Sequence, residues 1–182
     1  MNLKESLQEH YQLFFPKVFY EELVSQGVVD LQSAFNVMKK EYIKKVYKYI
    51  LNDYQLIDNY GGVKFKGNIL KINPKHDLYS NGENIKFCDH LGCGAIDALF
   101  KAFKNELGND IEIYHYGSSA TNGLINGFDE TVSSESKVMT IIGIKTKDNK
   151  LEWGVGESSN ALRSAVDALL SAINRLEEKS QI

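Results

Sequence analysis

HLGCGAIDALFKAF, residues 90–103, holds two glycines, Gly92 and Gly94, between a strand-like and a helix-like segment. Upstream, IKFCDHL (85–91) alternates Ile85, Phe87, Asp89 and Leu91, the period of a strand. Downstream, Ile96, Leu99, Phe100, Phe103 and Leu107 step by three and four, so 95–107 is an amphipathic helix that Gly108 stops. A glycine at such a junction serves either a tight turn or the close approach of a ligand to the backbone.

The same arrangement returns in GVGESSNALRSAV, which starts at Gly154. There 158–176 is a helix burying Ala161, Leu162, Ala165, Val166, Leu169 and Ile173, with Ser158 or Ser159 as its cap. Strands are expected at 63–72 with a break at Gly67-Asn68, at 110–117, at 137–146 and within 148–156, and a turn at Asn81-Gly82. Between 117 and 136 the chain is polar and glycine-containing, a long loop. The pattern is a duplicated βββα unit, about 56–108 and 109–178, related by a pseudo-twofold axis, in an α+β fold. Residues 1–55 form a helical linker subdomain and 56–182 the main domain. The linker has helices at 4–15 and 31–54, separated by Pro16. In the second, Phe35, Met38, Tyr42, Val46 and Ile50 stripe one face, and the basic run KKEYIKKVYK (39–48) is solvated on the other.

Composition narrows the function. A hydrophobic fraction of 43% with 25% charged residues is that of an ordinary globular protein. A net charge of −3 and a pI near 5.8 exclude a nucleic-acid partner, which needs a basic surface. No apolar run reaches a membrane span and MNLKESLQEH is no secretory leader, so the expected location is the cytoplasm.

Each Gly-x-Gly lies where helix N–H groups gather positive potential, at Gly92–Ile96 and at the turn holding Gly154, Gly156 and Ser158. Either suits a carboxylate or phosphate. Neither is a dinucleotide fingerprint, because the third glycine is replaced by Asp97 and by Ser159. Cys88, His90 and Cys93 have zinc-like spacing but no fourth ligand, and no metal is expected. No acid, base, nucleophile and oxyanion set is visible, so no catalytic residue is assigned. Ile113 and Tyr116 are plausible walls of a small apolar pocket.

GCGAIDALFKAF and WGVGESSNALRSAVDALLSAINR, ending Ser171 to Arg175, resemble two segments of the C-terminal regulatory domain of 2-isopropylmalate synthase, and VDLQSAFNVMKKEYI (29–43) resembles its helical linker. The resemblance implies a dimer of paired βββα units that binds leucine as feedback inhibitor. It also implies a separate catalytic TIM barrel, an acyltransferase with a divalent metal, in leucine and branched-chain amino acid biosynthesis. Nothing in the chain matches that barrel. The implied effector site comprises Gly92, Cys93, Gly94, Ala95, Ile96 and Asp97, with Ile113, Tyr116 and Ala120 from the following strand and loop. Cys93 and Ala95 stand where the family has Asn and Pro. The alternatives are the regulatory domain of citramalate synthase, with isoleucine, and a dimerisation module without a ligand.

Overall fold

The computed structural model describes residues 2–43, 48–72, 83–107, 110–121 and 137–180. The turn expected at Asn81-Gly82, Gly108 and residues 122–136 of the loop expected over 117–136 lie outside them, while residues 117–121 of that expected loop continue a strand instead. The elements run α1 (Leu3–Tyr11), α2 (Lys17–Ser25), α3 (Leu31–Met38), a π-helical segment (Lys39–Ile43), β1 (Tyr49–Asn59), β2 (Gly62–Lys71), β3 (Glu83–Gly92) and α4 (Ala95–Leu107). They continue with β4 (Ile111–Thr121), β5 (Lys137–Thr146), β6 (Leu151–Ser158) and α5 (Ala161–Ser180). Two antiparallel sheets, β1-β2-β3 and β4-β5-β6, are each followed by a helix, which is the duplicated βββα fold the sequence implies.

Two expectations for the first 55 residues are corrected. The helix expected over 31–54 ends, among the described residues, at Ile43, and β1 begins at Tyr49. The helical period is real through Ala34, Met38 and Tyr42, all buried. After that Tyr49 and Leu51 turn inward while Ile50 is exposed, which is strand alternation. The first βββα unit therefore starts before residue 56. Lys17–Ser25 is also a helix, unforeseen: Pro16 sits at its N-cap, where a missing N–H costs nothing. Helices α1 and α3 start on side-chain caps. Asn2 and Glu5 form a capping box for α1, and Asp30 and Ser33 one for α3.

The sheets differ in what covers them. On β2, Phe65 and Ile69 are fully buried beneath α4, whereas Lys64, Lys66 and Asn68 occupy the opposite face of the pleat. On β5, Met139 to Ile144 are buried without a break. Their two faces meet different partners. Ile142 and Ile144 join Val166, Leu169 and Ile173 of α5 and the inner face of the first sheet. Met139 and Ile141, with Trp153 and Val155 of β6, join Leu7, Phe15, Phe19, Leu23, Met38 and Tyr42 of the linker helices. The Phe19 ring lies 5.2 Å from that of Trp153. A strand buried on both faces reads as a continuous apolar run, and VMTIIGI does.

Helix α5 sits unusually close to β6. Gly154 and Gly156 face it, and a Cβ on either would fall under 3.0 Å from the backbone of Ala168 and Ala172 or of Ser164. Small residues at 164, 168 and 172, one turn apart, make the approach possible.

Candidate functional site

The question raised by Gly92 and Gly94 has a different answer for each. Gly92 ends β3, and a Cβ there would fall under 3.0 Å from the backbone of Asp97 and Ala98, so the strand end packs directly on the first turn of α4. Gly94 precedes the helix and its carbonyl accepts the Ala98 N–H at 2.9 Å. A Cβ on Gly94 would meet nothing within 4 Å. The fold requires the first glycine sterically, not the second. Open space lies over Gly94, beside the N–H groups of Ala95, Ile96 and Asp97, which begin the helix and have no intrahelical acceptor.

Asp97 folds back on this turn. Its Oδ2 accepts the Cys93 N–H at 2.9 Å and pairs with Lys101 Nζ at 2.8 Å. The Lys101 bond first, and then the Cys93 N–H, hold its carboxyl below the ordinary value. Cys93 is exposed and reduced, and Ala95 and Ile96 are half-buried.

The second Gly-x-Gly is not a turn. Gly154 and Gly156 lie inside β6, buried beneath α5, so they offer no anion an open backbone. The junction proper comes four residues later. Ser158 ends the strand, its Oγ accepting the Asn160 N–H at 3.2 Å, and the Asn160 side chain caps α5 by accepting the Arg163 N–H at 3.0 Å. Asn160, not Ser158 or Ser159, is the cap, and Ala161 just inside it is exposed. Structurally Gly94 corresponds to Asn160: each carbonyl takes the N–H four residues on, from Ala98 and from Ser164. The Asx preference for that position was the available signal.

Ile113, Tyr116 and Ala120 fall on β4, which among the described residues pairs only with β5. A bulge between Ile113 and His115 changes the alternation, and Ile113 and Tyr116 then lie opposite Ile144 and Ile142, on the α5 side of the sheet. Tyr116 is 44% exposed, and Ser118 and Ala120 are exposed as well. Behind this row runs a chain of hydroxyls that the sequence reading missed. Ser118 Oγ meets Thr140 Oγ1 at 3.0 Å, and buried Ser164 donates to Thr140 Oγ1 at 2.9 Å. On the other side, Tyr114 and His115 contact Trp153. Among the described residues, α4 and β4 are not extensively packed on each other.

His90 Nδ1 lies 3.4 Å from Asn105 Nδ2 on α4. Among the described residues, no three His, Cys, Asp or Glu side chains converge as a metal site would require. No helix among them is long and apolar enough to cross a membrane.

Residues 29–177 match the LeuA allosteric (dimerisation) domain. The chain belongs to this family. As a LeuA allosteric domain it is similar to the 2-isopropylmalate synthase of Clostridium acetobutylicum, 27% identical over 148 residues, covering 81% of this chain and 24% of that protein. It is also similar to the 2-isopropylmalate synthases of Acetoanaerobium sticklandii (22% over 185 residues) and Desulfitobacterium hafniense (24% over 180 residues). The matches cover 93% and 96% of this LeuA domain chain and 29% of each relative.

Proposed function

We propose that this chain is the leucine-sensing, dimerising part of a 2-isopropylmalate synthase in cytoplasmic leucine biosynthesis. The observation that carries the reading is the family match, which runs through both βββα units and back into α3. In such an enzyme the acyl-transferring barrel and its divalent metal would lie in the remainder of the protein.

The effector's α-carboxylate meets the first-turn N–H groups of α4 over Gly94, where dipole and open donors coincide. Its isobutyl group packs on Ile113 and Tyr116, near Ala120. Asp97 already commits Oδ2 to Cys93 and Lys101, which leaves Oδ1 to face the ammonium. Because α4 and β4 belong to different units of one chain, we place the complete site between two copies, β4 of one meeting α4 of the other. Dimerisation and effector binding are then one event, and occupancy favours one arrangement of the pair.

Calorimetric titration with leucine, isoleucine and valine, alongside sedimentation of the free chain, tests this. Saturable heat from leucine in a dimer supports the reading. A folded dimer that gives no heat with any of the three overturns leucine sensing and leaves a dimerisation module.

A further inference from the structure

The ending Ser171-Ala172-Ile173-Asn174-Arg175 has a use that effector binding does not explain. Ser171 Oγ donates to the Tyr42 carbonyl at 2.8 Å, and Arg175 Nη1 to the Glu41 carbonyl at 3.3 Å. The Arg175 guanidinium lies over the Tyr42 ring, 4.1 Å from its centre, and Nη2 reaches Glu22 Oε1 at 2.5 Å. That same carboxylate oxygen accepts the Tyr42 hydroxyl at 2.8 Å. Asn174 brackets the start of β1, accepting the Tyr49 N–H at 2.9 Å and donating to the Tyr49 carbonyl at 3.0 Å. The Arg175 side chain is only 8% exposed, with Glu152 Oε2 3.4 Å from its Nε.

The Ser171 and Arg175 bonds converge on the π-helical segment Lys39–Ile43, and the Asn174 bonds fix the strand that follows it. A π turn is rare and tends to occur at functional positions in helices. Here two consecutive backbone carbonyls of the segment are held by side chains from one helix. That helix is itself seated on β6 through glycine contacts, so it moves with the second sheet.

We propose that Ser171 and Arg175 form a clamp that holds Lys39–Ile43 in π register and fixes it to the second sheet, with Asn174 anchoring the start of β1 beside it. Release of the clamp lets the segment return to α register. On the functional reading above, on which this role in signalling rests, the clamp is where a shift in the two sheets reaches the linker helices. The clamp itself needs no ligand.

Hydrogen exchange of the full chain without effector tests it, comparing wild type with Ser171→Ala and Arg175→Lys. Lysine keeps the charge but loses the fork that reaches Glu41 and Glu22 together. The expected result is at least about tenfold faster exchange in 39–43 for both variants, with β5 and β6 unchanged. Unchanged exchange in 39–43 overturns the clamp. So does acceleration spread equally over β5 and β6, which reports general destabilisation. Should the Arg175 variant not fold, Ser171→Ala, which removes a single hydroxyl, decides alone. Leucine binding measured on the same samples separates failure of the clamp from failure of the effector reading.

Discussion

Gly154 lies beneath Ala168 with backbone against backbone: a side chain on the glycine would stand under 3.0 Å from the Ala168 carbonyl. Gly154→Ala must therefore push α5 off β6. The expected cost is about 1–3 kcal/mol, read from denaturant midpoints. A loss within about 0.5 kcal/mol would show that the helix is not seated as described.

Gly92 and Gly94 should separate stability from binding. Gly92→Ala forces a methyl into the Asp97–Ala98 backbone and costs about 1–3 kcal/mol. Gly94→Asn copies the Asn160 cap and enters open space, so stability holds or rises by a few tenths of a kcal/mol. The same asparagine covers the proposed carboxylate position, and leucine affinity is expected to fall at least about tenfold. Calorimetry on the folded variant checks this. Unchanged affinity would move the effector away from the α4 N-terminus.

Trp153, the single tryptophan of the chain, reports the contact between the second sheet and the linker helices. Phe19→Ala empties its nearest aromatic neighbour and is expected to cost about 3–5 kcal/mol, with a red shift of Trp153 emission in the folded state. Emission unchanged from wild type would mean that the linker helices do not cover this face in solution.

His115 gives the structure an acid sensitivity. Burial against Trp153 and Phe14 lowers its pKa from 6.5, so the folded form resists protonation while the unfolded chain does not. Well above pH 6.5 both states are neutral and the residue adds no pH slope. As pH falls below that, the unfolded state takes up the proton first and stability declines until the folded value is passed. His115→Gln should flatten this part of the stability–pH curve. A curve of the same slope would assign the sensitivity elsewhere.

The two helix-bearing junctions show what the sequence could and could not reveal. Helix α4 and strand β5 were legible because each carries one uninterrupted period, three-four for Ile96 to Phe103 and a continuous apolar run for Val138 to Ile144. The helix projected to residue 54 failed because Tyr42, Val46 and Ile50 extend a three-four step across a boundary. The alternation of Tyr49 with Leu51 and, past a bulge, of Tyr54 with Leu56, together with their aromatic and β-branched neighbours, carried the opposing signal. Aligning Gly154 with Gly92 failed for another reason. A Gly-x-Gly at a junction and a Gly-x-Gly under a helix look alike in sequence, and only the contacts of α5 distinguish them. Near the candidate site, where α4's first turn falls was legible from its pattern, whereas the Ser118, Thr140 and Ser164 chain joins three elements distant in sequence. No local spacing predicts it.

That the linker helices cover one face of the second sheet has a practical corollary for truncation. A fragment beginning at β1 would retain both duplicated units, yet it would present Met139, Ile141, Trp153 and Val155 to water as one contiguous greasy plate. Such a plate invites self-association that would be mistaken for native pairing. Oligomer measurements on pieces lacking α1 to α3 would therefore need comparison with the full chain, in which those helices shield this face from water.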